Sequence, residues 1–245
     1  MLEGMYSAAA GMAAQQQRLD ALSNDIANVN TNGYKHVRTA FHDLLYTPSG
    51  AATAAGSVEG AGAAAVTIGR GAAQGAIQQT GEPLDIALQG PGYLQVRRAD
   101  GTTGLTRDGA LRLDDQRRLT TQSGELVDPA ITLPAGTSAT DVSIATDGTV
   151  RVGTTQVGKL RIVTVPAPDG LQPVGDNDFV ATAASGAIAA APATTTVQQG
   201  ALEGSNVDLG DAMTEMVQAQ RAYELASRAI QAQDKAAEIA NGVKR

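Results

Sequence analysis

Hydrophobic positions at both ends of the chain repeat with the period of a helix, whereas those in the middle alternate with the period of a strand. The first segment carries a heptad row of apolar residues and an offset row beside it: Met5, Met12, Leu19 and Ile26, then Ala8, Gln15, Leu22 and Val29. This spacing predicts one long amphipathic helix over Leu2–Val29. The run Asn30–Gly33 is rich in residues that accept a positive φ, so we expect the helix to end there in a sharp turn.

The last segment has the same rhythm. Ser205–Asp208 matches the capping-box pattern [ST]-x-x-[DE], which predicts a helix start at this point. Two heptad rows follow it: Leu209, Met216, Tyr223, Ile230 and Ala237, with Ala212, Ala219, Ala226, Gln233 and Ala240 beside them. A helix over Val207–Ile239 would be roughly 50 Å long at about 1.5 Å per residue. Asn241 and Gly242 are expected to end it.

A polar face accompanies the apolar rows of this second helix between Gln218 and Lys235. Arg221 and Glu224 are three residues apart, and Glu224 and Arg228 are four apart, which are spacings that allow ion pairs along a helix. Two interpretations stay open at this point. The face is a solvated surface, or it sets the register between neighbouring subunits together with Gln220.

The middle of the chain, about Val66–Thr196, changes to period-two alternation. Short apolar runs are separated there by Gly-Pro-Gly, Ser-Gly and several Asp-Gly pairs. Asp-Gly between alternating runs is a strong hairpin signal, and strands at spacings of about 8–12 residues are typical of a sandwich or barrel. The preceding stretch, Thr47–Ala64, has almost no large side chains. It is expected to be a mobile loop, or an arm that orders against a partner.

These patterns predict an α+β fold with a mainly β core. The central domain is an antiparallel β-sandwich or barrel-like domain, and the long N- and C-terminal helices pair as a coiled coil. The predicted organisation is a discontinuous helical domain of residues 1–33 and 204–245, an extended linker or mobile arm of residues 34–80, and an antiparallel β domain of residues 81–203. A helix about 50 Å long needs another helix as its neighbour, because a β domain of this size cannot cover its whole length.

The apolar rows also predict contacts between copies of the chain. The predicted assembly seam consists of Met5, Met12, Leu19, Leu22, Ile26 and Val29 in the N-terminal helix and Leu209, Met213, Met216, Tyr223 and Ile230 in the C-terminal helix. Two paired helices bury only one side of each, and Val217, Leu225, Ile239 and Val243 lie off the seam. We expect other subunits to cover these positions. The alternative is that they contact the chain's own β domain.

Composition and motif content favour no catalytic or cofactor-binding chemistry. Among the 245 residues there is no cysteine, which excludes disulfides, thiolate metal sites and a cysteine nucleophile. The two histidines, His36 and His42, lack the ligand set of a metal site. Gly69–Gly75 does not match the dinucleotide fingerprint, and no hydrolase, metalloprotease or P-loop motif occurs. A net charge of -7 argues against nucleic-acid binding, and no apolar run is long enough to span a membrane. The chain is therefore predicted not to be an enzyme.

Both ends of the chain resemble the bacterial flagellar rod and hook protein family. LSNDIANVNTNGYK (Leu22–Lys35) is similar to the N-terminal signature of that family, and EGSNVDLGDAMTEMVQAQRAYELASRAIQAQDK (Glu203–Lys235) is similar to its C-terminal signature. GEPLDIALQGPGYLQV, LTRDGALRLD, LTTQSGELV and VGKLRIVTV resemble its β domain, in order. The positions that match the motifs are Asn24, Asn28, Thr31, Gly33 and Tyr34, and then Gln220, Arg221, Ala222 and Tyr223. Asp25 stands where the family often has Asn, which we expect to be a small change on the helix face.

The resemblance is greatest to the distal rod branch of the family, through FHDLLY (Phe41–Tyr46) and DPAITLPAG (Asp128–Gly136). It implies a structural subunit that self-assembles into a hollow helical drive shaft, with the terminal helices inside and the β domains outside, and that transmits torque across the cell envelope to the hook. It also implies export by the flagellar type III apparatus to an extracytoplasmic place in the basal body without a cleaved signal peptide.

The implied partners are copies of the chain, other rod proteins, the hook protein and the P- and L-ring proteins, with no cofactor. Two alternatives are kept. The first is a proximal rod or short hook-type subunit of the same family. The second, from a different class, is a secreted trimeric β domain that binds peptidoglycan or carbohydrate.

Overall fold

The computed structural model describes residues 2–44, 46–48, 58–60 and 62–242. The chain forms two compact units. The helical unit comprises Met1–Ala27, Val37–Ile68 and Asp208–Arg245, and the β unit comprises Asn28–His36 and Gly69–Val207.

The helical unit contains two long helices and four strands. Helix α1 spans Leu2–Ala27, two residues shorter than the predicted Leu2–Val29, and helix α2 spans Leu209–Gly242, ending at the predicted Asn-Gly stop. The strands are β1 (Val37–Asp43), β2 (Tyr46–Pro48), β3 (Val58–Gly60) and β4 (Ala63–Arg70), of which β1 pairs with β4 and β2 with β3. The stretch 34–80, predicted as an extended linker, therefore contains these four strands and a fifth. Most of the predicted mobile arm Thr47–Ala64 lies outside the described residues.

The N-terminus of α2 is capped by Asp208, and the predicted capping box headed by Ser205 is wrong. Asp208 Oδ1 accepts hydrogen bonds from the backbone N–H of Gly210 at 2.8 Å and of Asp211 at 3.1 Å. Ser205 Oγ accepts instead from the N–H of Val207. Aspartate caps a helix as well as serine does, and Asp208 directly precedes the first helical residue, so it takes the position.

The β unit is built from short antiparallel strands. They are β5 (Ile77–Gln79), β6 (Ile86–Gln89), β7 (Tyr93–Arg97), β8 (Thr103–Thr106), β9 (Arg112–Leu113), β10 (Leu119–Thr120), β11 (Leu126–Val127), β12 (Val142–Ile144), β13 (Thr149–Val152), β14 (Thr155–Lys159), β15 (Ile162–Thr164), β16 (Gln172–Gly175), β17 (Asp178–Val180), β18 (Ala189–Ala190), β19 (Thr196–Gln199) and β20 (Ala201–Glu203). The largest sheet runs β16-β17-β8-β7-β11-β10-β9, with β15 beside β7 and β18 beside β15. Smaller sheets are β12-β13-β14, β6-β19 and β5-β20.

Two of the Asp-Gly signals form the predicted hairpins. Asp100-Gly101 joins β7 to β8, and Asp147-Gly148 joins β12 to β13, with both glycines at positive φ. The hairpin expected at Asp108-Gly109 is absent. Gly109 instead accepts a hydrogen bond on its carbonyl from the N–H of Ile86, so this stretch pairs with a distant strand rather than with its sequence neighbours.

The core of the β unit is aliphatic, as the lack of tryptophan predicts. Strand β7 is buried on both faces because its side chains alternate between two clusters. Leu94 and Val96 enter the larger cluster, which includes Leu119, Val127 and Val150, while Tyr93 enters the smaller one. The prediction of an α+β fold with a mainly β core is confirmed.

Candidate assembly surface

Helices α1 and α2 pack against each other in the helical unit and run antiparallel. Gly4 of α1 lies against the side chain of Gln233 in α2, whereas Arg18, further along α1, pairs with Glu215 at 3.1 Å. The contact is made largely by alanines. Ala14 of α1 and Ala212 and Ala219 of α2 are buried, and small side chains of this kind let helix axes approach closely.

The predicted seam residues of α1 are all at least partly buried in the single chain. Leu22 is buried, and Met5, Met12, Leu19 and Ile26 are half-buried. Val29 is also half-buried but lies beyond the end of α1, in the turn that follows it.

The predicted seam residues of α2 divide into two groups. Met216 and Ile230 are half-buried, while Leu209, Met213 and Tyr223 are exposed. Met216 and Ile230 are thus partly covered in the single chain. Leu209, Met213 and Tyr223 are not, and their role in an assembly stays a prediction.

The apolar face of α2 consists of five exposed side chains: Leu209, Met213, Val217, Leu225 and Ile239. At 3.6 residues per turn, Val217 and Ile239 fall roughly 180° from Ala212 and Ala219 around the helix. Leu225 is 66 % and Ile239 is 62 % exposed. Helix α2 therefore has small buried residues on one side and large apolar residues on the solvent side. Val243, which was also predicted to be left over, lies outside the described residues.

The C-terminal motif residues lie beside this face. Gln220 and Arg221 are exposed, as are Glu224 and Arg228, and Ala222 is half-buried. The two interpretations of this polar face, a solvated surface or a register between copies, both stay open.

The N-terminal motif residues form the turn after α1. Thr31 donates both its backbone N–H and its hydroxyl to Asn28, each at 3.1 Å, and Asn24 is exposed. Gly33 has a φ of +69°, and a Cβ there would lie 2.6 Å from the backbone carbon of Arg107. Tyr34 is buried, with the guanidinium of Arg70 5.0 Å from its ring centroid.

The expectation that Asp25 is a small change on the helix face is wrong. Asp25 is 4 % exposed, and its carboxylate accepts hydrogen bonds from the N–H of Val37 at 2.9 and 3.3 Å. An aspartate serves here because both carboxylate oxygens accept hydrogen bonds, and a charge-assisted bond to a backbone N–H is stronger than a neutral one.

Three segments of the β unit meet in what we call the junction: residues 33–36, 70–76 and 203–206. The carbonyl of Glu203 accepts from the N–H of Gly33, and the carbonyl of Tyr34 accepts from the N–H of Asn206. The N–H of Gly71 donates to His36, and the N–H of Gly204 donates to Ala76. The side chain of Asn206 accepts from the N–H of His36 at 2.8 Å and donates to the carbonyls of Gly71 and Ala73. His36 is therefore part of the junction and is not a metal ligand here.

A buried ion cluster holds the junction together. Lys35, Arg107 and Glu203 are 3 %, 6 % and 1 % exposed. Glu203 accepts from the Lys35 ammonium, from Arg107 Nη1 at 2.9 Å and from the N–H of Gly75 at 2.9 Å. Lys35 also donates to the carbonyl of Ala73 at 2.8 Å.

Charge in this cluster is unbalanced, because two cations share one carboxylate. Burial lowers the pKa of Lys35, although Glu203 opposes that shift. Arg107 also lies 5.5 Å from the ring centroid of Tyr93 and donates to the carbonyl of Gly90 at 2.8 Å. Burial raises the pKa of Tyr93. The second cation is thus stabilised by an aromatic face and a backbone carbonyl rather than by another acid.

A second buried acidic group lies in the large sheet. Asp178 is 2 % exposed, and burial, together with a hydrogen bond to the Glu125 carboxyl, raises the pKa of Asp178 to about 8. Arg98 Nε donates to Glu125 at 3.3 Å. One guanidinium thus faces two carboxyls, so at neutral pH the pair keeps one proton between them.

Neither cluster has the composition of a catalytic or metal centre. Within the described ranges, no group of three or more His, Cys, Asp or Glu could hold a metal ion. His42 is exposed on β1. A scan of the helices in the described part of the chain finds none long and apolar enough to cross a bilayer.

Gly33, Tyr34 and His36 of the junction were considered in the sequence, but Lys35, Arg107, Glu203 and Asn206 were not singled out, although each of these four lies in a recognisable stretch. Lys35, Glu203 and Asn206 fall inside the two terminal signatures, and Arg107 falls inside LTRDGALRLD. The signal available in the sequence was that Lys35, Arg107 and Glu203 are charged residues in three separate, strongly patterned stretches. Their pairing could not be inferred, because 168 residues separate Lys35 from Glu203.

Family models match the chain in three places. Residues 5–35 match the flagella basal body rod protein model, residues 87–152 match the flagellar hook protein FlgE/F/G D1 domain, and residues 198–243 match the C-terminal model of the flagellar basal body rod FlgEFG proteins. The matches fall on α1 with its turn, on the centre of the β unit, and on β19, β20 and α2.

Relatives that align over the full length of the chain belong to the same family as these models. The chain is 37 % identical to the flagellar basal-body rod protein FlgG of Borreliella burgdorferi over 264 residues, which cover 100 % of both chains. It is 38 % identical to FlgG of Caulobacter vibrioides over 95 % of this chain and 96 % of that one, and 39 % identical to FlgG of Agrobacterium fabrum over 97 % and 98 %. The chain therefore belongs to the family of flagellar basal-body rod proteins typified by FlgG, and it is a structural, non-enzymatic rod subunit.

Proposed function

We propose that copies of this chain assemble through the apolar face of α2 into a hollow helical shaft, the distal part of the flagellar rod, which transmits torque to the hook. The observation that carries the proposal is the exposure of five large apolar side chains on α2: Leu209, Met213, Val217, Leu225 and Ile239. Large apolar side chains exposed in this number on one helix support an interaction site.

Neighbouring copies are the occupant that fits this face. Burying a side chain such as Leu or Ile is worth roughly 1.5–3 kcal/mol, so five such positions can offset the loss of translational and rotational freedom on association. The heptad spacing of both helices supports left-handed, coiled-coil-like packing within and between copies. Repeating one such contact from copy to copy along a helical path produces a tube rather than a closed dimer.

The remaining partners follow from the family. The resemblance of both termini to rod and hook signatures supports contacts with other rod proteins, the hook protein and the P- and L-ring proteins. It also supports an extracytoplasmic place across the envelope, reached through the flagellar type III export apparatus without a cleaved signal peptide.

A carbohydrate-binding β domain is not favoured. Sugar sites need exposed aromatic platforms, and the aromatic residues of the β unit are Tyr34, Tyr93 and Phe179, all of which are buried. The exposed aromatics Tyr6, Phe41 and Tyr223 belong to the helical unit.

The test is to place a charge on the apolar face. Leu225→Asp should abolish assembly in sedimentation and electron microscopy, with unchanged circular dichroism, because Leu225 makes little contact within the chain. Ile188→Asp is the matched control, since Ile188 is an exposed apolar residue of the β unit, and it should assemble as the wild type does. Polymers of normal length from Leu225→Asp would refute the proposed interface.

A further inference from the structure

The junction is where the chain passes into and out of the β unit. The boundaries of that unit fall at Asn28, His36, Gly69 and Val207. Each of the three junction segments therefore lies beside at least one boundary. Helix α1 ends one residue before Asn28, and α2 begins two residues after Val207. The segments that the junction joins are therefore those next to the boundaries at His36, Gly69 and Val207.

The hydrogen bonds of the junction connect every segment to both others. The first segment is joined to the third through Gly33, His36 and Lys35. The second is joined to the first through the N–H of Gly71 and through Arg70, whose Nη1 donates to the carbonyl of Lys35 at 2.8 Å. The third is joined to the second through Glu203, Gly204 and Asn206.

The buried charges make these contacts interdependent. Glu203 is the carboxylate with which both Lys35 and Arg107 pair, and all three side chains are almost inaccessible to water. Removing one partner of a buried ion pair leaves an uncompensated charge, which is far less favourable than exposing the whole cluster to solvent. Opening one segment while the other two stay closed would create that situation.

We propose that the junction is a cooperative lock, in which Lys35, Glu203 and Arg107 cause the three segments to open and close as one unit. The lock operates within a single chain. It goes beyond assembly through α2, and the two proposals can fail separately.

Hydrogen exchange of the dilute full-length wild-type chain tests the lock without any substitution. Six backbone amides report on it, two from each segment: Gly33 and His36, Gly71 and Gly75, and Gly204 and Asn206. The expected result is one common opening free energy and one common denaturant dependence for all six, below those of the core amide of Leu119. Different values for the three segments would overturn the proposal.

Glu203→Gln then tests the role of the charges. It leaves Lys35 and Arg107 without their counter-ion, and the six amides should exchange about a hundredfold faster or more, all by the same factor. Asp147→Asn is the matched control, because Asp147 pairs with Lys159 on the surface, and it should change the six rates by less than about twofold. Acceleration confined to Gly33, Gly75 and Gly204, which contact Glu203 or follow it, would contradict a cooperative lock. Should Glu203→Gln not fold, the exchange of the six amides in the wild-type chain decides the proposal by itself.

Discussion

The β unit and the helical unit place their apolar residues in opposite ways. In the β unit, one cluster alone contains fifteen buried aliphatic residues, and its aromatic residues are buried as well. In α2 the buried positions among the described residues are alanines, whereas Leu225 and Ile239 face solvent. The β unit therefore buries most of its large apolar residues within one chain, whereas the helical unit leaves several exposed, which we propose other copies cover.

Charged groups show the same contrast. The β unit buries Lys35, Arg107 and Glu203 in one cluster, where Glu203 pairs with both cations. The helices are joined by Arg18 and Glu215, whose side chains are 25 % and 50 % exposed. A pair of this kind contributes about 0–1 kcal/mol, so it can orient α1 on α2 but cannot replace missing apolar contacts.

The largest expected difference comes from the same substitution made in each unit. Leu119 is 0 % exposed in the β unit, and Leu119→Ala should destabilise that unit by about 2–5 kcal/mol through a cavity in its core. Leu225→Ala should change the stability of the dilute chain by less than about 0.5 kcal/mol. Urea unfolding followed by circular dichroism measures both. Equal losses would mean that α2 is already fully packed in the single chain.

The next largest effect is the pH dependence of stability that the buried Asp178 causes, and it is confined to the β unit. The pKa of Asp178 is raised to about 8 from an ordinary value near 3.8, so the folded state binds a proton that the unfolded state has already lost. This contribution to stability is complete below about pH 4 and is lost as pH rises toward 8, at up to about 1.4 kcal/mol per pH unit. Asp178→Asn should remove the slope and stabilise the chain at pH 8, since a neutral amide can donate to Glu125 as the protonated acid does.

The measurement is urea unfolding at pH 5.5, 7 and 8.5. Asp147 serves as the comparison, because hydrogen bonds from Thr149 and the nearby Lys159 lower its pKa to about 2, and it stays ionised throughout this range. Asp147→Asn should leave the slope unchanged. A wild-type stability that is flat from pH 5.5 to 8.5 would show that Asp178 and Glu125 do not share a proton.

Periodicity predicted the elements because a helix and a hairpin are local structures. The heptad rows located α1 and α2 to within three residues, and Asp-Gly located the hairpins at Gly101 and Gly148. At Asp108-Gly109 the same signal failed, because a long-range bond from Ile86 competes for the carbonyl. The exposed rows on α2 were also predictable, since they are what remains when one side of a helix is covered.

The junction could not be predicted, because it depends on which distant residues the fold brings together. Nothing near Lys35 in sequence indicates that it is buried, and the long, flexible side chain of lysine usually favours the surface. Asp25 was misjudged for the same reason, since its role depends on the N–H of Val37, twelve residues later. Local rules place such residues on a helix face or in a turn but do not show what approaches that face.

A smaller effect is expected at the turn that follows α1. Gly33→Ala forces a side chain into a positive φ and against the backbone of Arg107, which should destabilise the β unit by about 1–3 kcal/mol. Gly153→Ala separates the two causes, because Gly153 has a φ of +58° but no neighbouring atom within 4 Å of a new Cβ. Denaturation midpoints should therefore fall further for Gly33→Ala. Equal shifts would assign the whole effect to backbone strain and none to the contact.

The smallest effect tests whether the first turn of α2 is stabilised by its N-terminal cap or by packing against neighbouring copies. Asp208→Ala removes the two cap hydrogen bonds and should destabilise the start of α2 by about 0.5–2 kcal/mol, whereas Ser205→Ala should leave that helix end unchanged. In the dilute chain, where the apolar face of α2 is uncovered, the lost cap should increase amide exchange in the first turn after Leu209. In the polymer, burial of the same face should suppress most of that increase, because tertiary packing dominates helix stability once partners are present. A first turn that exchanges equally fast in both states would mean that the neighbouring copies do not cover Leu209 and Met213.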